Sequence, residues 1–308
     1  MYSANESETT WLSVHLRCDS NIDEFLTDML FPLVDRVEHS HFLERYFYLR
    51  HWMAGSHVRL RLKMPPSDHE DVLDLILGRT TTWLSERRQQ VNPYAEQWYE
   101  YNAPELAMRE HQTEVPKWRE HGSVWNEQYV PEVQKYGSGD TLAAFEKQFC
   151  ASTELARAVL DRTHVREQLL SFASMIIYVT WANLGLRMGP PHQEYSILVR
   201  RWEPLRQTDP SWPVYRSKVD PCEFANRMNN RTAGAAAAPE SGWLSSLEEL
   251  THTLRTVPEV EQSRNQLLVN RDHCLHLFCN RLGLSLEQEA SARQLAYSAV
   301  QSSVLQSY

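Results

Sequence analysis

The sequence predicts an α+β fold, on two patterns of its apolar residues. In the first hundred residues short stretches alternate apolar and polar side chains as half-buried strands do, and between them apolar residues recur every three or four positions as on helices. From residue 140 onward the helical spacing dominates. The order predicted for the front is β-α-β-β-α-β, a ferredoxin-like arrangement, followed by a mainly helical half. The expected division is a sheet-forming region over 1–101 and a helical region over 102–308, packed as one integrated domain.

Trp11 to Arg17 (WLSVHLR) alternates as a strand, and Ile22 to Val37 carries helical spacing through Phe25, Leu26, Met29, Leu33 and Val37. Arg45 to Trp52 (RYFYLRHW) and His57 to Lys63 (HVRLRLK) predict a hairpin turning near Gly55. Pro65 and Pro66 end it, since neither can donate to a ladder. Ser67 opens a capped, acidic start to a helix over Val72 to Arg88, and Glu96 to Tyr101 (EQWYEY) is expected to be a fourth strand. Asn102 to Gly139, with prolines at 104, 116 and 131, is expected to run irregularly over the surface, as long functional loops often do. Asp140 to Leu160 and His164 to Leu186 predict helices, the second apolar on most sides and therefore buried. Residues 187–240 are broken by prolines, and Thr232 to Glu240 (TAGAAAAPE) reads as a linker or surface loop. Helical spacing returns over Leu244 to Val257, Val260 to Leu282 and Leu286 to Leu305.

Composition narrows the function classes. A net charge of −9 opposes unguided attraction to a polyphosphate backbone, so nucleic acid is not an expected partner. The start MYSANESETT has acids and hydroxyls where a secretory signal needs a positive charge and an apolar run, so a cytoplasmic location is expected. The most apolar stretch, Met175 to Leu186, is about twelve residues against the roughly twenty of a spanning helix, so no membrane segment is expected. Five cysteines with no repeated CxxC spacing read as reduced thiols, without a disulfide.

Three segments carry types suited to chemistry. On a strand, His57, Arg59 and Arg61 share one face while Val58, Leu60 and Leu62 share the other. Two guanidinium groups ~7 Å apart can clamp a carboxylate or steady an enolate. The plain alternative is a solvated edge strand with basic residues for solubility. On a helix, His273, His276 and Asn280 share a face, and Cys279 beside them invites a zinc site, which the lack of a second ligand pair disfavours. In Tyr129 to Gly137 (YVPEVQKYG), proline and glycine limit the piece to one helical turn that sets Glu132 beside Lys135, an arrangement that an exposed ion pair also explains.

Taken together these segments resemble one family. LERYFYLRHWMAGSHVRLRL at 43–62 resembles the aromatic-Arg-Trp and His-x-Arg-x-Arg signature near the start of the C-terminal elimination domain of lantibiotic dehydratases. YVPEVQKYG is similar to its Pro-Glu-x-x-Arg-Tyr-Gly segment, and HLFCNRLG at 276–283 to its late His-x-x-x-Asn-Arg-Leu segment. The order is the family's, front to back, so the resemblance covers nearly the whole chain. It implies a stand-alone, cofactor-independent lyase of bacteriocin or thiopeptide maturation. Such a lyase removes glutamate from glutamylated Ser or Thr of a ribosomally made precursor peptide, leaving dehydroalanine or dehydrobutyrine. It also implies a separate glutamyl-tRNA-dependent protein that attaches the glutamate, and a substrate with leader and core.

Carried over residue by residue, the family's functional arginines fall on Arg59 and Arg61, its glutamate on Glu132 and its histidine on His276. His57, Arg50, Lys135 and Asn280 follow as substrate-contacting candidates. Lys135 stands where the family has arginine, replacing a planar fork by a point charge, and Gly137-Ser138-Gly139 departs from the usual paired glycines. Elimination needs a base near the α-carbon and charge stabilisation at the carbonyl oxygen, and Glu132 or His276 fits the first while arginine supplies the second. No metal or redox cofactor is needed. Two other readings stay open. One is a thiopeptide pyridine synthase, which joins two dehydroalanines in a formal [4+2] cycloaddition and expels the leader. The other is a non-catalytic precursor-binding subunit.

Overall fold

The computed structural model describes residues 9–87, 91–109, 112–188, 223, 239–256 and 264–305. They fall into two compact units, Met1–Pro131 and Glu132–Tyr308. The α+β character is as expected: a small antiparallel sheet lies in the first unit and helices fill the second.

In the first unit β1 (Thr10–Arg17) leads through α1 (Ile22–Glu24) and a π-helical stretch, Phe25–Leu30, into α2 (Phe31–Ser40). Pro32 has no N–H to give to the carbonyl four residues before it, which accounts for the widened turn just upstream. The hairpin strands β2 (Arg45–His51) and β3 (His57–Met64) follow, then α3 (His69–Ser85), α4 (Ala95–Arg109) and β4 (Val124–Asn126). The sheet order is β2-β3-β1-β4, with every neighbouring pair antiparallel.

The register sorts the side chains. Leu12, Val14 and Leu16 of β1 stand with Val58, Leu60 and Leu62 of β3 and with Tyr46 and Tyr48 of β2, all buried. Phe31 of α2 meets Tyr48 at 5.7 Å, so the helical layer covers this face. Burial of each such side chain stabilises by about 1.5–3 kcal/mol. The opposite face carries Ser13, His15, Arg17, His51, His57, Arg59, Arg61 and Trp125.

Three expectations are corrected here. First, β3 pairs with β1 on one side and β2 on the other, so its cations are not those of a solvated edge strand. Second, Glu96–Tyr101 is not a strand but part of α4, in which Tyr99, Ala103 and Ala107 form a buried stripe at four-residue spacing. The aromatic residues Trp98, Tyr99 and Tyr101, common in strands, hid that stripe, and Pro104 inside the helix argued against it. Third, the fourth strand is the three-residue β4, which lies within the stretch expected to be irregular. The sheet-bearing unit accordingly runs past residue 101 to Pro131.

In the second unit a short helix, α5 (Val133–Tyr136), precedes α6 (Asp140–Leu160) and α7 (Arg166–Met188). Three more helices follow: α8 (Pro239–Thr256), α9 (Arg264–Arg281) and α10 (Leu286–Leu305). Residues Ala173 to Trp181 of α7 are buried without interruption, as predicted. Fully buried Arg281 of α9 donates to the hydroxyls of Ser152 and Thr153 on α6. Most of the proline-rich 187–240 stretch, including residues 232–238 of the Ala-rich tract, lies outside the described residues. Among the described residues no helix is long and apolar enough to cross a membrane.

Candidate functional site

Over the polar face of the sheet lies a cleft of about 410 Å³. Its floor is His15, His57 and Arg59; its walls come from Met53 and Ala54 of the hairpin turn, from Pro116, Lys117, Trp118 and Arg119, and from Trp125 and Glu127. Arg59, Lys117 and Arg119 face one carboxylate, Glu127, so this corner of an acidic protein favours an anion.

The histidines stack: His15 and His57 lie 5.1 Å apart, nearly parallel, with His51 at 5.5 Å from His57 and Trp125 about as close to both. Burial, joined by the neighbouring arginines, pushes His15 down to about 2. It pushes His57 down to about 3, and lowers His51 well below the ordinary imidazole range. All three rings are therefore neutral near neutral pH. His57 Nδ1 is 2.9 Å from the Gly55 carbonyl, which can only accept, so the proton sits on Nδ1 and Nε2 accepts from Arg59 Nε at 3.4 Å. His15 Nε2 likewise accepts from Arg61 Nη2 at 3.2 Å. Glu127 lies 3.7 Å from the same nitrogen, but beside a neutral ring that approach is not an ion pair.

Arg61 is 8% exposed; it donates to the Leu60 carbonyl and to His15 and sits over the Tyr129 ring. Among the described residues it forms no ion pair. Burial, then Arg59, pushes it down to about 10, so it stays cationic with its charge uncompensated by a contacting carboxylate. A buried guanidinium held by neutral acceptors is suited to receive a carboxylate or an enolate oxygen.

Arg17 braces this cleft. It is fully buried, pairs with Asp19, donates to the carbonyls of Ser56 and Arg119 and stacks over Trp118 at 4.2 Å. It thus fastens the hairpin turn to the 116–119 wall. Gly55, at φ +96°, leaves the room: a Cβ there would come within 2.4 Å of the Arg17 guanidinium. His15, Arg17 and Arg119 were not predicted as site residues, although the alternation that assigned β1 already placed Trp11, Ser13, His15 and Arg17 on one face.

In the second unit Tyr136 is packed between Phe145 and Phe149 and hydrogen-bonds His273 Nε2 at 2.8 Å. It ties the Glu132–Tyr136 turn to α9 one turn before His276. Glu132 and Lys135 form the expected exposed pair at 3.3 Å. His276, with 30% of its side chain exposed, donates from Nδ1 to Glu289 Oε2 at 2.9 Å. Buried Arg293 joins Glu289 to Asp272. Cys279 and Cys274 are fully buried, which raises the first thiol well above its ordinary range and the second to about 12. Among the described residues no three His, Cys, Asp or Glu side chains converge as a metal site requires.

The profile of the lantibiotic biosynthesis dehydratase C-terminal family matches residues 11–300. The chain belongs to this family. Among solved structures, the pyridine synthase TbtD from thiomuracin biosynthesis is similar at a TM-score of 0.71 and 18% identity, over 94% of this chain and 97% of that one. The tRNA-dependent lantibiotic dehydratase MibB from Microbispora sp. 107891 gives 0.63 and 20% identity, over 100% of this chain but 29% of MibB. TsrL gives 0.52 and 15%, over 95% of each chain. At these identities the likeness concerns the fold. Among curated protein sequences nothing matches.

Of the positions that carry the motifs of the lantibiotic dehydratase C-terminal family, His57, Arg59 and Arg61 share the polar face of β3. Glu132 and Lys135 lie on the turn that Tyr136 ties to the helix bearing His276 and Asn280. Arg50 stands apart from the β3 cations: it is on the other face of the sheet, paired with buried Asp23 at 2.7 Å.

Proposed function

We propose that this member of the lantibiotic dehydratase C-terminal family eliminates glutamate from glutamylated Ser or Thr in a ribosomally made precursor peptide. A base takes the α-proton, the electron pair closes the alkene, and the γ-carboxylate of glutamate leaves, giving dehydroalanine or dehydrobutyrine and free glutamate. Arg61 and Arg59 receive the enolate oxygen and the substrate carboxylate; Glu132 or His276 takes the proton; His57, Lys135 and Asn280 contact the peptide. The observation that carries this reading is the buried guanidinium of Arg61, held by a neutral imidazole beside an aromatic-walled cationic cleft. The reaction calls on no metal or redox cofactor. It needs a separate glutamylating partner, and the chain would work in the cytoplasm.

A second reading is a pyridine synthase, favoured by the near end-to-end likeness to TbtD and by Lys135 in place of arginine. Incubation with a glutamylated precursor, read by mass, separates the two. Elimination leaves each processed residue one water lighter than in the unmodified peptide with the leader retained. Cyclisation of a dehydrated precursor releases the leader. A peptide that returns unchanged from both incubations counts against both readings and for a binding subunit.

A further inference from the structure

We infer that Glu289 is a positioning residue that locks His276 with its proton on Nδ1, which makes Nε2 the basic nitrogen of the ring. The inference rests on the place of His276 in the proposed reaction for its purpose, but the tautomer itself follows from geometry alone. Glu289 lies in the first turn of α10, where the helix dipole favours a carboxylate, and is 1% exposed. Its two oxygens are divided. Oε1 accepts from Arg293 Nη2 at 2.7 Å and Nε at 3.0 Å, while Oε2 accepts from His276 Nδ1 at 2.9 Å.

Arg293 does not close on Glu289 alone. Its Nη1 donates to Asp272 Oδ1 and its Nη2 also reaches the Asp272 carbonyl at 3.4 Å. That sharing leaves Glu289 Oε2 for the imidazole. Burial would raise the Glu289 carboxyl, but His276 and Arg293 outweigh it and hold the group below its ordinary value. An ionised carboxylate only accepts, so the ring must donate from Nδ1. Buried carboxylate behind, half-exposed imidazole in front, is the arrangement by which a histidine takes and returns a proton with fixed aim. Between Glu132 and His276, it favours His276 as the proton acceptor.

Glu289→Gln tests this sharply, because Arg293 has only donors to offer. The amide oxygen must turn to Arg293, its NH2 then points at His276, and Nδ1 becomes an acceptor. With ¹⁵N-histidine in the full chain, the wild type should show His276 as the Nδ1–H tautomer and Glu289→Gln as Nε2–H, assigned by the signal lost in His276→Asn. Turnover of a glutamylated peptide should fall at least about 100-fold in kcat with KM little changed, and Glu289→Asp should recover part of both signals. A wild-type spectrum showing Nε2–H overturns the inference, even if the variant does not fold. So does a folded Glu289→Gln variant that keeps Nδ1–H, or one with inverted tautomer and wild-type kcat. If the chain has no elimination activity at all, the tautomer measurements still decide the geometry while the proposed reaction fails separately.

Discussion

Arg61 and Arg293 are both buried, yet their surroundings treat their charge in opposite ways. Arg293 sits between Asp272 and Glu289; burial alone would lower it, and the two carboxylates raise it above its ordinary value instead. Arg61 has a backbone carbonyl and a neutral imidazole for partners, and burial and Arg59 pull it down. The first charge is spent inside the fold and holds two helices together. The second has no carboxylate in contact, so nothing of that kind offsets its burial. The same residue type is offset by contacting carboxylates in one unit and held by neutral acceptors in the other, and only under the proposed function does the second become a binding group.

The largest test of this contrast is Arg293→Met. It takes from buried Asp272 and Glu289 the guanidinium they share, and should lower unfolding free energy by about 3–5 kcal/mol in denaturant titration. A loss under 1 kcal/mol would mean the helical cluster is not the strut described. Next is Gly55→Ala, which forces a side chain onto a positive φ and into the Arg17 guanidinium; about 2 kcal/mol or more should be lost, with the cleft wall loosened. Retention of wild-type stability would show that Arg17 can move aside.

Third is acid sensitivity. His15 and His57 have folded values of about 2 and about 3 against 6.5 unfolded, so below pH 6.5 the unfolded chain binds protons that the folded chain refuses. Stability should be full above pH 6.5 and fall as pH drops, by about 1 kcal/mol per histidine per pH unit. Thermal unfolding of His15→Phe and His57→Phe should show shallower slopes between pH 6.5 and 5, and unchanged slopes would argue that the rings are not held neutral. The smallest expected effect on stability is Arg61→Met. Removing a cation that has no carboxylate in contact should shift unfolding by less than about 1 kcal/mol, and toward greater stability, while elimination collapses. If the variant is badly destabilised, Arg61 belongs with Arg293 and the contrast breaks.

Much of the frame was legible because period alone specifies it. The strict alternation of HVRLRLK placed His57 and the cations Arg59 and Arg61 on one face of β3, and the bounds of α6 and α10 were predicted to the residue. What was not legible depended on partners distant in sequence. Glu289 is one glutamate among several in a helix start, and only the folding of α10 beside α9 puts it on a histidine 13 positions earlier. Arg17 reads as the polar end of a strand, whereas two of its contacts lie over a hundred residues downstream, on the wall at 118–119. β4, three residues long, has too short a pattern for any period to show.

The hydroxyl of Tyr99 joins pieces that the sequence keeps apart. It accepts from the Ala54 amide at 2.9 Å and donates to the Pro116 carbonyl at 2.5 Å, with the Trp118 ring 5.4 Å from its own. One phenol on α4 therefore couples the rim of the hairpin to the wall opposite. Outward movement of either piece breaks its own hydrogen bond to that phenol, and exchange of the Ala54 amide with solvent reports each opening on the hairpin side.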